Sequence, residues 1–436
     1  MLVNAFPSEL LHHILDEFKP IYNINSVEDG AHKTQLYPKN WKPYAQTCSD
    51  FARLRLVCRR WDSFITPLLY STYVLTTRPE EHLKRAVEGF KYNPHLIDRL
   101  IIRGHVGPRH TVQSGAAELL AACISGCTNL KQLEIIDPHR IFWHIGKSKA
   151  YAVFQSIPPS APFQSLSLYF MHPKDHRGYA FGVHAALLGL GRRTRDLKDL
   201  RLIVIDHTET GQNVNSSESL YFPSEFTNLR TLSIQGGLEK DLQLPKLLSR
   251  IRRKGQDTSP LRELTLSRMR NFVDTEYMEM ILSINNLGLH LTVLQLRLPP
   301  WSFYDPDPNH HVKHTHELPS TLLRCCPALE TFIYLTHCPV KFLHALPHNL
   351  RTFGIRIEPR PTDSWLQALP LDLIHDSQPL VAFVRNERMR KDVKVLVIEW
   401  GNEFYIKSRS LGKKNSKPLR EACAAYNVEY TEKIQF

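Results

Sequence analysis

LRTLSI, Leu229–Ile234, carries apolar residues at its first, fourth and sixth positions and polar residues between them. Leu232 and Ile234 point one way and Thr231, Ser233 and Gln235 the other, the alternation of a short strand with one buried face. The pattern recurs as LKDLRL from Leu197 and LRELTL from Leu261, 32 residues to either side. Further out it continues as IDRLII from Ile97, LKQLEI from Leu130, FQSLSL from Phe163 and LTVLQL from Leu291. From Ile97 to Leu291 the intervals are 33, 33, 34, 32, 32 and 30 residues. Less even copies follow as LETFIY from Leu329, LRTFGI from Leu350 and VKVLVI from Val393. A near-constant period of this length marks a repeat architecture, in which each unit buries its apolar face only against its neighbours.

Between copies lie segments with helical periodicity. GAAELLAACISGC precedes Leu130, GVHAALLGLGRRTRDL precedes Leu197, LPKLLSRIRRKG precedes Leu261 and TEYMEMILSINNLG precedes Leu291. Strand, loop, helix and strand at even length imply parallel strands joined by helical crossovers. Stacked in order they form an α/β solenoid, strands on the concave face and helices on the convex one. The pattern resembles leucine-rich repeats of the longer, irregular kind, over roughly residues 90 to 400. One feature of that family is missing. The Asn that follows the third apolar position is replaced by Pro138, Met171, Ile205, Gly237, Met269 and Pro299, so other groups must satisfy the turns. SQPLVAFVRNERMRKD feeding VKVLVIEW, then SKPLREACAAYNVEY as a closing helix and strand, form a plausible C-terminal cap. A doubly wound sheet is the structural alternative.

The first 75 residues read differently. In FPSELLHHILDEF, Phe6–Phe18, Pro7 breaks an incoming helix, Ser8 suits the cap and Glu9 faces the positive end of the helix dipole. Leu10, Leu11, Ile14, Leu15 and Phe18 form one apolar stripe, and Pro20 ends it. Residues 21 to 47 are polar with scattered prolines and read as a loop. In SDFARLRLVCRRWDSFITPLLY, Leu54, Val57, Cys58 and Trp61 stand at i, i+3, i+4 and i+7, and Thr66-Pro67 suits the start of a third short helix. So small a helical unit with so much apolar surface requires a partner, either the array behind it or a second protein.

These residues resemble the F-box, matching at Pro7, Glu9, Leu10, Ile14, Leu54, Val57, Cys58 and Trp61, with an insertion at about residues 21–48. The resemblance implies that Phe6, Pro7, Leu10, Ile14, Leu54, Val57, Cys58 and Trp61 bind a Skp-family adaptor and, through it, a cullin–RING ligase. The domains expected are therefore an all-α F-box over 1–75 and a leucine-rich-repeat-like solenoid with its cap over 76–436.

Composition bounds the rest. The 436 residues include 55 Lys and Arg against 43 Asp and Glu, a net charge of +12 that favours acidic partners. The eight cysteines contain no CxxC pair, which suits free thiols in a reducing compartment, cytoplasmic or nuclear. The opening stretch lacks a basic n-region and is interrupted by Glu9, Asp16 and Glu17, so it does not read as a secretory signal. No uncharged apolar run approaches the ~18 residues of a membrane span.

Several constellations invite chemical readings. The histidines of NHHVKHTH, His310, His311, His314 and His316, have no thiolate or HExxH-type base beside them and read as a solvated loop. Cys123 and Cys127 lie one turn apart in an Ala-rich helix and read as core thiols. GLGRRT from Gly189 lacks both the third glycine and the preceding strand of a phosphate loop. The basic runs RIRRKG at Arg250 and KSRSLGKKNSKP read as solvated faces. No catalytic signature, metal set or cofactor motif emerges.

The expectation is a non-catalytic adaptor whose concave residues bind an unidentified target protein. Glu134, Tyr169, Arg201, Gln235, Gln295 and Arg297 stand on that face, with Ser233 and Thr265. Rival readings are a repeat scaffold with no ligase link and a basic solenoid associated with nucleic acid.

Overall fold

The computed structural model describes residues 13–15, 17, 36–76, 80–103, 116–137, 141, 147–170, 177–204, 225–235, 244–267, 275–297, 318–335, 338, 340–357, 374, 377–400 and 409–434. The chain forms two compact units, Met1–Ser224 and Glu225–Phe436.

In the first unit, β1 (Thr72–Thr76), β2 (Arg99–Arg103), β3 (Gln132–Ile136), β4 (Ser165–Phe170) and β5 (Asp199–Val204) pair in chain order, all parallel. In the second, β6 (Thr231–Gln235), β7 (Glu263–Ser267), β8 (Val293–Arg297), β9 (Thr331–Leu335), β10 (Thr352–Ile357), β11 (Val395–Trp400) and β12 (Glu429–Ile434) do the same. All ten motif copies become strands, each beginning two residues after the first apolar position. Consecutive neighbours in parallel, joined by helices, bear out the α/β solenoid-like expectation within each unit.

The motif is a burial code. Leu130, Leu133 and Ile135 of one copy, and Leu229, Leu232 and Ile234 of another, have no accessible surface, and every other copy is buried in the same way. The first position packs before the strand begins, and the next two point from the strand toward the helices. Contacts confirm the direction: Tyr73 of β1 meets Phe90 of helix Glu80–Phe90, and Phe353 of β10 meets Phe383 of helix Gln378–Arg385. Each such side chain contributes roughly 1.5–3 kcal/mol by leaving water.

The backbone entering most strands is held by main-chain hydrogen bonds. The carbonyl of Asp98 accepts from the N–H groups of Lys131 (2.8 Å) and Gln132 (3.0 Å). Lys131 and Gln164 do the same for the next repeats, and Arg230, Arg262, Thr292, Glu330 and Arg351 do so in the second unit. One carbonyl before each of these strands thus serves two amides of its successor. The positions at which the Asn residues were missed, from Pro138 to Pro299, lie outside the described residues.

Asparagines stitch the repeats elsewhere. Asn129 Nδ2 donates to the carbonyl of His95, and Asn349 Nδ2 to that of Leu329 at 2.8 Å. Asn285 holds φ at 52° and donates to the carbonyls of Leu248, Ser249 and Ile251 at 3.1–3.2 Å, closing the end of helix Leu244–Arg250.

The N-terminal part corrects three local readings. Residues 36–47, read as loop, belong to helix Leu36–Leu54. Its prolines suggested a loop; Pro38 falls in the first turn, where a missing N–H costs nothing, and Pro43 lies further in, where it removes one helical hydrogen bond without ending the helix. Leu54, Val57, Cys58 and Trp61 do not share one helix: the first helix ends at Leu54, and Cys58 is the extended cap of helix Arg59–Ser71. Pro67 lies inside that helix and begins no third one. This helix runs straight into β1, which spans the boundary expected at residue 75. YSTYVL, with Tyr70, Tyr73 and Leu75 at the motif positions, is an eleventh copy that tyrosine in the first position concealed.

Substitutions at Asn285 separate conformation from hydrogen bonding. Asn285→Ala loses the three carbonyl contacts and places a Cβ-bearing residue in the left-handed region, whereas Asn285→Gly loses only the contacts. Urea unfolding should show both variants destabilised, with Ala worse than Gly by about 1 kcal/mol.

Candidate functional site

Two regions bear on function: the helical N-terminal segment and the sheet face opposite the helices. The first is built on a small core of Leu15, Phe51 and Ile65, against which Leu54, Trp61, Phe64, Leu68 and Leu69 pack. Leu15 belongs to the expected first helix, of which 13–15 and 17 are described and helical. Tyr44 fastens the segment to the sheet by donating its hydroxyl to the carbonyl of Thr72 at 2.9 Å.

The connection between the two longer helices is pinned. Val57 N–H donates to Leu54 O at 3.1 Å and Leu56 N–H to Arg53 O at 3.0 Å. Arg55 Nε donates to Asp62 Oδ1 at 2.7 Å, and Thr66 donates to the same oxygen at 2.8 Å. These hydrogen bonds, Arg55 first, hold the Asp62 carboxyl below its ordinary value. The fixed turn presents apolar side chains to solvent: Leu56 is 84% exposed, Val57 57% and, nearby in sequence to Leu15, Ile14 42%.

Of the expected docking residues, Ile14 and Val57 are therefore exposed, and Cys58 is half-buried. Leu54 and Trp61 are also half-buried, because both pack on the little core. Phe6, Pro7 and Leu10 lie outside the described residues. Leu56, the most exposed of the group, was not singled out because it falls off the helical stripe that guided the choice.

The sheet face is less open than the sequence suggested. Glu134 and Tyr169, expected to face a target, are only 1% and 2% exposed. Neighbouring side chains consume the polar groups: Arg99 Nε of β2 and Gln132 Nε2 of Glu134's own strand both donate to Glu134 Oε1, at 2.5 and 2.6 Å. Arg201 Nε donates to Asp199 Oδ2 at 3.2 Å. Arg201, Gln235, Gln295 and Arg297 remain half-buried.

Arg297 belongs to a buried ion cluster that only register reveals. In the second unit Arg297 of β8 pairs with Leu335 of β9 and Arg356 of β10 with Glu399 of β11, and the β9–β10 register, Tyr334 beside Ile355, brings the two pairs into line. Arg356 donates from Nε (2.8 Å) and Nη2 (2.5 Å) to Glu399 Oε1, and Arg297 donates from Nε (3.2 Å) and Nη2 to Oε2. Glu399 has no accessible surface. Burial pushes its carboxyl up, but the Arg356 and Arg297 guanidiniums outweigh burial and hold it below the ordinary value. In the adjacent row Gly354 leaves room for Ile333, whose Cγ2 lies 2.9 Å from where a Cβ would stand.

The remaining candidates fall into place. Cys123 and Cys127 are buried free thiols, pushed up to about 12 by burial, and belong to the core as expected. GLGRRT is a helix end: Gly191 has φ +53°, and Arg193 donates to the carbonyls of Ile157, Pro158 and Ala161. The histidines from His310 to His316 lie outside the described residues. Among the described residues no helix is long and apolar enough to cross a membrane.

No family model matches the chain, and no curated protein sequence matches it.

Removing the carboxylate tests the ion cluster. Glu399→Gln leaves two guanidiniums facing a neutral amide and should cost about 3–5 kcal/mol of unfolding free energy. Because the folded carboxyl sits below its ordinary 4.5, its contribution is complete above that pH and is lost as pH falls through the folded value. An acid titration followed by near-ultraviolet circular dichroism should show wild type losing stability below about pH 4.5 and the Gln variant a shallower decline.

Proposed function

We propose that this chain is a substrate-recognition adaptor of an SCF-type ubiquitin ligase, with an F-box that binds a Skp-family adaptor and a leucine-rich-repeat-like array that binds a target protein. The observation that carries the reading is the pinned turn after helix Leu36–Leu54. It leaves Leu56 and Val57 in water while the core beside them is closed. A short apolar surface held rigid before binding loses little entropy on docking, which suits a protein partner. It lies within the segment whose sequence resembles the F-box.

In this reading the chain performs no bond chemistry. Its N-terminal helices hold the ligase, the array holds the target, and tethering raises the effective concentration of target lysines near the charged E2 enzyme. Arg201, Gln235 and Gln295, the half-buried polar residues of the sheet face, are the array's contacts. Glu134 and Tyr169 are left to support that face from within.

A binding measurement with purified Skp-family adaptor tests the proposal. Full-length wild type should bind. Leu56→Asp and Val57→Asp should each weaken binding roughly ten- to hundredfold, the worth of one apolar side chain lost from an interface. Thermal stability should not change, since both side chains are exposed in the free protein. Wild type without affinity, or variants that bind as wild type does, removes the ligase reading.

A further inference from the structure

The basic run read in sequence as a solvated face takes part in a cavity. In the second unit a cavity of about 680 Å³ is lined by four cationic side chains, Arg230, Arg253, Lys254 and Arg262. Thr227 and Asn228 add a hydroxyl and an amide, and among the described residues no carboxylate or aromatic side chain lines it.

The backbone gathers these cations from two places. Arg230 and Arg262 immediately precede β6 and β7, and their carbonyls are members of the shared-acceptor ladder, so their positions are fixed one strand apart. Arg253 and Lys254 come from a turn closed by Arg253 N–H donating to Thr258 O at 2.8 Å and Gln256 N–H to Arg253 O at 3.0 Å. Gly255 in that turn has φ +71°, a conformation that disfavours side-chain-bearing residues. Arg262 is further oriented by donating Nη1 to the carbonyl of His290 at 2.8 Å.

The nearby carboxylates stand outside the lining: Glu225 is engaged by Arg252, Asp257 acts on the same Arg252, and Glu263 accepts from Thr231 at 3.4 Å. Arg230, Arg253 and Lys254 make no side-chain hydrogen bond or ion pair among the described residues. The imidazole of His290 registers the field: burial first, then Arg262 and Arg253, hold it below its ordinary value. Cations gathered round one cavity repel one another, and an anion placed among them converts repulsion into attraction.

We infer that this cavity binds a phosphate group, either free inorganic phosphate or the phosphate monoester of a phosphorylated side chain. A phosphate monoester offers three acceptor oxygens and close to two negative charges near neutral pH, which matches guanidinium forks supported by a lysine and a hydroxyl. Nucleic acid is the poorer match. Among the described residues its lining offers no ring on which a base would stack. The inference does not depend on the ligase reading.

Isothermal titration of the full-length protein tests it, with inorganic phosphate, a degenerate phosphoserine peptide library, the same library dephosphorylated, and a single-stranded RNA oligonucleotide. Inorganic phosphate should bind saturably. Arg253→Glu/Lys254→Glu should weaken binding about tenfold or more, as expected for losing charge-assisted hydrogen bonds. Arg230→Ala should weaken it in the same direction, and it serves alone if the double variant fails to fold. Arg385→Glu/Arg388→Glu, an equal charge change on exposed residues elsewhere in the unit, should bind as wild type does. A phosphorylated library that binds more tightly than inorganic phosphate identifies a side-chain ligand, and equal affinity identifies free phosphate. Three results overturn the inference: no saturable binding of phosphate, equal binding by wild type and the cavity variants, or tighter RNA binding lost equally in both double variants.

Discussion

The structure depends on one arrangement within each unit: a strand whose apolar side chains face a helix and whose preceding carbonyl accepts two amides from the next repeat. Neither element is stable alone, since a short strand leaves its backbone groups and one apolar face unsatisfied. Together they make every repeat the scaffold of its successor. The carbonyls of Asp98, Lys131 and Gln164 in the first unit, and of Arg230, Arg262, Thr292, Glu330 and Arg351 in the second, hold this role whatever their side chains are. That independence releases those side chains for other uses, and Arg230 and Arg262 line the basic cavity.

The opposite face of the sheet obeys a different economy. Several charges there are sequestered in pairs with their neighbours. Glu399 joins β11 to both β10 and β8, spanning the strands between. Such a buried cluster is weak evidence of added stability, because desolvation offsets much of the attraction. It does disfavour a register shift, since a slip of one residue would turn Glu399 toward the apolar helix side. Face residues buried in such pairs, Glu399 and Glu134 among them, are closed to solvent, whereas Arg201, Gln235 and Gln295 stay half-buried.

The N-terminal helices extend the array without a linker. Helix Arg59–Ser71 passes directly into β1, and Tyr44 ties the preceding helix to the same strand. The exposed pair Leu56 and Val57 is therefore held rigidly with respect to the first strands.

The sequence by itself determined the repeat, its strands, their polarity and the buried positions, because burial with a period of two inside a near-constant interval leaves a signal in residue type. It also located the intervening helices and the apolar N-terminal segment. One end strand escaped it: β1 carries Tyr70 where other copies carry an aliphatic or Phe. Helix Leu36–Leu54 escaped it because local proline content outweighed periodicity. Only the tertiary structure decided which polar face residues would be used up internally. Glu134 meets Arg99 from a different repeat, and Arg297 meets Glu399 at a separation of 102 residues. Such pairings depend on register and on side-chain reach across several strands, quantities that no local pattern of residues encodes.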